Sequence, residues 1–111
     1  NLQSMDCFAG TTTLLITTDH GRGDPPDEWR GHGADVAGSE LMWIGAMGPK
    51  VVPLGEQTST AALTQSQIAA TIAALLGLDY RAAVTKAAPA IEPIVGTSSG
   101  PFLSTYLPSR R

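Results

Sequence analysis

The sequence predicts an α/β fold, and three segments carry that prediction. Residues 11–18 are β-branched or apolar throughout, and residues 41–47 form a second, largely apolar run, as strands buried in one sheet require. Residues 64–76 repeat apolar side chains at helical spacing behind a capping signal. Two buried strands and one amphipathic helix make a piece of an α/β sandwich, with both strands in the same sheet.

Taken in order, residues 1–5 read as the end of a helix whose start lies outside the chain, and residues 6–11 turn it into the first strand. Cys7 is the single cysteine, so no internal disulfide is possible, and it reads as a small buried hydrophobe. The strand at 11–18 stops abruptly at Asp19-His20-Gly21. Residues 22–31 are rich in Gly, Pro and Asp, which suits an ordered loop able to double back. Within that loop Asp24, Asp27 and Glu28 read as solvated charges, and Trp29 is a candidate wall of a substrate pocket. The second strand places Trp43 in the core and ends at Gly48-Pro49-Lys50; residues 51–62 then form a loop or hairpin with an exposed polar stretch at 55–60.

The helix at 64–76 is the most secure element. Thr64 and Gln67 have the spacing of a capping box, in which each side chain takes up the other residue's backbone amide. Ile68, Ile72, Leu75 and Leu76 fall on one face, Ala69, Ala70, Ala73 and Ala74 allow close packing, and Gly77 closes the helix in a left-handed cap. This face holds no chemistry, so its role is structural. Beyond Asp79 the pattern fades: residues 81–88 form a helical turn or two ended by Pro89, and 89–111 read as an extended or partly disordered tail. Residues 1–88 are then one portion of a domain, without internal repeats and with no mark of a second domain.

Bulk properties exclude some functions. A formal charge of −3 with only 7 scattered basic residues argues against a nucleic-acid groove. No run is long enough to span a bilayer. The compartment stays open, periplasmic, secreted or cytoplasmic, because a single thiol suits all three.

The chemistry concentrates at the end of the first strand. In open α/β sheets ligands gather just past the carboxyl ends of the strands. Asp19 and His20 stand at such an end, and His32 follows 12 positions after His20, so the three supply part of a site for Zn²⁺ or Mn²⁺. Neighbouring residues on a strand point to opposite faces, so Asp19 and His20 can share an ion only if the backbone turns there. Gly21 and Gly23 permit that turn. Read from residue chemistry alone, the same residues also fit a plain turn whose imidazoles bond to the backbone.

The string TTLLITTDHGRG, then WRGHG, then the apolar run from Leu41 to Met47 leading into Gly48-Pro49, resembles the C-terminal third of the alkaline phosphatase superfamily. That superfamily includes sulfatases, nucleotide pyrophosphatase/phosphodiesterases, cofactor-independent phosphoglycerate mutases and phosphopentomutases. The resemblance covers about residues 11–80 and extends to the helix beginning at Thr64, which matches a helix that packs on the family's sheet. It implies an α/β/α sandwich with a central, mostly parallel sheet, and a site with two divalent metals, Zn²⁺ or Mn²⁺. On that resemblance Asp19 and His20 hold the metal that activates a nucleophile and His32 belongs to the partner metal. Arg22, one residue past the motif, is a candidate oxyanion contact or else pairs with Asp24 or Asp27.

The family's nucleophilic Ser or Thr and its remaining ligands come from segments upstream of the D-H-G strand, which have no counterpart before Thr11. The expectation is therefore a C-terminal fragment of a hydrolase of phosphate or sulfate esters, acting on a small-molecule ester together with the rest of the parent catalytic domain and inactive by itself. A phosphomutase of the same superfamily, a noncatalytic module holding one structural ion, and an interaction domain in which D-H-G is only a turn remain as alternatives.

Overall fold

The computed structural model describes residues 2–26, 28–58 and 61–96, and it divides into two compact units, Asn1–Pro49 and Lys50–Arg111. The boundary between the two units falls at a Pro-Lys step.

The first unit opens with a 3₁₀ turn at Leu2–Ser4. A chain of turns follows, in which Met5 O accepts from Phe8 N at 2.8 Å and Ala9 N at 2.9 Å, and Phe8 O accepts from Thr11 N and Thr12 N at 3.2 Å. Cys7 lies in this turn region and is exposed, not buried, because tight local turns have no layer packed over them. Two strands follow, β1 (Leu14–Thr17) and β2 (Ile44–Met47), shorter than the runs read from sequence.

They pair antiparallel, with Leu14 opposite Met47 and Thr17 opposite Ile44. Parallel strands need a crossover, usually helical, between them. The described part of the connection from 18 to 43 contains no helix, and the chain returns along the strand it left. Just beyond the ladder Thr17 Oγ1 donates to Trp43 O at 2.8 Å, and at the other end Gly48, with φ of +145°, packs onto Thr13 so closely that a Cβ would stand 2.6 Å from Thr13 Cα.

The burial expected of these runs is only partly present. Leu14 and Leu15 are half-buried, whereas Ile16 is 48% and Trp43 59% exposed. A two-stranded ribbon covers neither of its faces. Among the described residues nothing forms the parallel sheet that the resemblance implies, so Trp43 is corrected from core residue to surface residue.

The second unit is built on α1 (Ile68–Leu75), entered through a 3₁₀ turn at Gln65–Gln67. The Thr64/Gln67 capping box is present: Gln67 Oε1 accepts from Thr64 N at 2.9 Å, and Thr64 Oγ1 lies 2.7 Å from Ser66 Oγ. The exit is a Schellman motif in which Gly77, at φ +80°, donates to Ala74 O at 2.9 Å and Leu78 N donates to Ala73 O at 2.8 Å.

The buried face of α1 is rotated from the one expected. Ala70, Thr71, Ala73 and Leu75 are buried, while Ile72 and Leu76 face solvent. The reason lies in the segment that covers the helix, which the sequence pattern did not reveal. Residues 89–96, taken from sequence as the start of a tail, bring Ile91 and Ile94 into the core and form α3 (Glu92–Val95).

That segment is fastened to α1 through polar groups. Fully buried Thr71 donates its hydroxyl to Gln67 O at 2.7 Å and accepts Ile91 N at 2.9 Å, and Gln67 Nε2 donates to Pro89 O at 3.3 Å. Residue 52 is tied to the same place by Val52 N donating to Ile94 O at 3.2 Å. Between the two lies α2 (Tyr80–Ala83), whose N-cap Asp79 accepts Arg81 N at 3.0 Å and Ala82 N at 3.2 Å. Residues 97–111 of the anticipated tail lie outside the described residues. No helix among those described is long and apolar enough to cross a membrane.

Candidate metal site at the end of strand β1

The loop after β1 is closed by its own backbone. Gly21 N donates to Ser39 O at 2.7 Å, and Gly23 N donates to Gly31 O at 3.0 Å, so the outgoing segment 20–23 lies beside the returning segment 31–33. Side chains would prevent this. A Cβ on Gly21 would collide with the carbonyls of Gly38 and Leu41, and one on Gly23 would stand 2.6 Å from Glu28 O and 2.7 Å from Val36 Cγ1. Turns at Asp24–Glu28, Glu28–Gly31 and Gly33–Val36, each closed by a backbone bond of 2.7–3.1 Å, complete the return. The sequence reading of a glycine-rich loop that doubles back thus has a specific form.

This closure brings the candidate ligands together. The rings of His20 and His32 stack with centroids 4.3 Å apart and planes inclined by 17°. Asp19 lies beside them: its Oδ1 accepts His20 N at 3.0 Å and its Oδ2 is 3.5 Å from His20 Nε2. The carboxylate is 87% exposed and the His20 side chain 36%, so both are open to solvent.

His20 Nδ1 lies 2.7 Å from Gly21 O, and since a carbonyl oxygen only accepts, Nδ1 carries a proton. In the neutral ring the lone pair is then on Nε2, the atom facing Asp19. A metal-binding imidazole commonly has this arrangement, with its other nitrogen donating to a backbone carbonyl.

Two donor atoms bound at about 2.1 Å to one tetrahedral ion lie about 3.4 Å apart. The 3.5 Å between Asp19 Oδ2 and His20 Nε2 matches that span. His32 cannot join them on the same ion, because an imidazole binds in its own plane and the two stacked planes do not meet within bonding distance of both rings. Consistent with this, among the described residues no three His, Cys, Asp or Glu side chains surround a single point.

Of the other loop residues, Asp24 and Glu28 are exposed, and Asp27 lies outside the described residues. Arg22 does not pair with Asp24; its Cζ stands 5.9 Å from the centre of the Trp29 ring. Arg30, which the sequence reading passed over, stands nearer the same ring, at 4.9 Å. The signal that could have found it is the inverted match of His20-Gly21-Arg22 with Arg30-Gly31-His32. Ser39, in the returning arm of the loop, adds a buried hydroxyl oxygen with no hydrogen-bond partner among the described residues. The chain was compared with protein-family models, curated proteins and solved structures, and none of them matched.

Proposed function

We propose that this chain supplies part of a two-metal centre of a phosphate- or sulfate-ester hydrolase, of the kind the alkaline phosphatase-like motif implies. Asp19 and His20 share one divalent ion, and His32 serves the second. The 3.5 Å spacing of Asp19 Oδ2 and His20 Nε2, with the proton of His20 held at Nδ1 by Gly21 O, is the observation that carries this reading. The stack gives it independent support: two rings 4.3 Å apart that cannot share an ion suit neighbouring ions, which in two-metal sites stand about 3.5–4 Å apart. For the same reason a single structural ion held by all three side chains is the weaker reading.

Such ions, when bound, supply Lewis-acid stabilisation of charge on the ester oxygens and lower the pKa of the attacking hydroxyl. The chain's own residues position them. Gly21 O fixes the tautomer and ring plane of His20, the Asp19 carboxylate contributes negative charge, and the closed glycine loop keeps His32 in place. Three donors do not complete two coordination shells, so the remaining ligands and the nucleophile come from outside these residues. The parent sandwich, in which β1 would lie in a mostly parallel sheet, is part of the same proposal.

Titration of the full 111-residue chain with Zn²⁺, followed through the imidazole ring resonances, tests this. Expected are shifts of both His20 and His32, weak binding because the shells are incomplete, and loss of the His20 effect in Asp19→Asn. Ring resonances unmoved at millimolar Zn²⁺, or His20 shifts unaffected by Asp19→Asn, would refute the assignment.

A further inference from the structure

The loop contains a second cluster that the metal reading leaves unused. His20-Gly21-Arg22 and Arg30-Gly31-His32 are inverted copies of one three-residue pattern, brought side by side by the hydrogen bond from Gly23 N to Gly31 O at 3.0 Å. The inversion has a geometric result. The imidazoles meet each other, with centroids 4.3 Å apart, and each guanidinium lies over the Trp29 ring, at 4.9 Å from its centre for Arg30 and 5.9 Å for Arg22. Among the described residues neither guanidinium has a carboxylate within ion-pair distance, although the loop is rich in acidic side chains. Trp29 itself is 43% exposed, so the ring and both cations face solvent.

We infer that Arg22 and Arg30, each within cation–π distance of Trp29, form a two-guanidinium clamp for the tetrahedral oxyanion of the substrate and select a doubly charged phosphate monoester over singly charged diesters and sulfate esters. The inference rests on the hydrolase reading for what the anion is part of. Guanidinium is planar, permanently charged and forked, and so suits two oxygens of one phosphate. Two such groups attract a dianion about twice as strongly as a monoanion and offer forks to more of its oxygens, and this difference persists beside the exposed carboxylates of Asp24 and Glu28. A phosphate monoester loses its second proton near pH 6 and is mostly a dianion at neutral pH, whereas sulfate monoesters and phosphodiesters keep a single charge. Stacking on the indole holds the forks in place and lowers the entropic cost of ordering two long side chains. The selectivity therefore resides in the loop, two residues from each histidine.

The test uses the full chain in EDTA, so that it does not depend on metal. Trp43→Phe leaves Trp29 as the only indole, and its fluorescence is followed while methyl phosphate, methyl sulfate and dimethyl phosphate are added at pH 8. Methyl phosphate is expected to bind at least about tenfold more tightly than the two monoanions, and to weaken with added salt. Arg30→Gln should reduce its affinity by about tenfold or more, a loss of at least about 1.4 kcal/mol from one charge-assisted contact. Arg30→Lys should recover part of that loss. The Zn²⁺ shifts of His20 and His32, read on the same variants, should persist, which separates failure of the clamp from failure of the metal site. Equal affinity for all three anions, no binding of methyl phosphate at tens of millimolar, or undiminished binding in the Arg22→Gln/Arg30→Gln double variant would each overturn the inference.

Discussion

Replacing Thr71 by Val tests how the second unit is held together. The hydroxyl of Thr71 is fully buried, donates to Gln67 O at 2.7 Å and accepts Ile91 N at 2.9 Å. Valine keeps the shape and removes the acceptor, which leaves the Ile91 amide buried without a partner at a cost of about 1–3 kcal/mol. The new methyl offsets part of this by about 0.8 kcal/mol. A net loss of about 0.2–2.2 kcal/mol follows, and each kcal/mol lowers Tm by about 4–8 °C for a domain of 60–100 residues. Serine retains both hydrogen bonds and gives up only a methyl, roughly 1 kcal/mol. The two variants therefore separate most clearly at one amide. Hydrogen exchange at Ile91 should accelerate about tenfold for each 1.4 kcal/mol of local stability lost in Thr71→Val and little in Thr71→Ser. Urea denaturation supplies the global value. Were Thr71→Val more stable than the unmodified chain, or Ile91 exchange unchanged, the bond from Ile91 N to Thr71 would not be what joins residues 89–96 to the helix.

Further outcomes follow from other positions. Gly23→Ala would place its Cβ 2.6 Å from Glu28 O, which should open the Gly23–Gly31 bond and separate the rings of His20 and His32; ring-current shifts of the imidazole protons report it, and unchanged shifts would refute the closure argument. Gly77→Ala meets nothing within 4 Å but adopts φ of +80°, so its cost is backbone strain of about 1–2 kcal/mol, measured as a lower urea midpoint with an unchanged slope. The 111 residues by themselves should hydrolyse aryl phosphates and aryl sulfates at negligible rates even with Zn²⁺ or Mn²⁺, since the proposed two-ion site has only Asp19, His20 and His32 as its donors here. Efficient turnover by this chain would show that its own residues complete the site.

How much of this was legible in the sequence depends on whether the signal was local. The helix at 64–76 was readable because a capping box, a 3.6-residue repeat and a glycine stop all reside in its own residues. Its buried face was not, because the choice between Ile72 and Thr71 is made by Ile91, 20 positions away, through a hydrogen bond to a hydroxyl. Pro89 and Pro93 concealed the covering segment by resembling a tail, although proline in a first helical turn is favourable. The chemistry of Trp43 alone predicts a core residue, whereas it flanks a two-stranded ribbon and is exposed. At the candidate site, residue type and a permissive loop single out Asp19, His20 and His32, and the closed loop stacks the two imidazole rings with Asp19 beside them. Arg30 was passed over because its meaning depends on the inversion of a short pattern, which becomes spatial only once Gly23 bonds to Gly31.

The loop is where sequence, packing and chemistry meet, and the glycines explain why. A site that places two imidazoles 4.3 Å apart and two guanidiniums on one indole needs two chain segments closer than side chains normally permit. Gly21, Gly23 and Gly31 allow that approach by presenting only backbone, and the resulting amide-to-carbonyl bonds hold the segments without any regular element. Rigid elements usually position functional groups more precisely than loops do. Here the precision comes from steric closure, strongest at Gly21 and Gly23, where backbone carbonyls and, at Gly23, the Val36 and Glu28 side chains occupy the space a Cβ would take. Function and fold should therefore respond differently to damage. Substituting a histidine or arginine of the loop removes a contact and leaves the ribbon, whereas enlarging one of its glycines displaces all four charged or ligating side chains together while β1 and β2 remain paired. Parallel measurement of Zn²⁺ shifts and methyl phosphate binding in Gly23→Ala, with strand exchange protection as the control, tests this directly: both binding signals should fall together, and survival of either one alone would mean that the two halves of the loop are positioned independently.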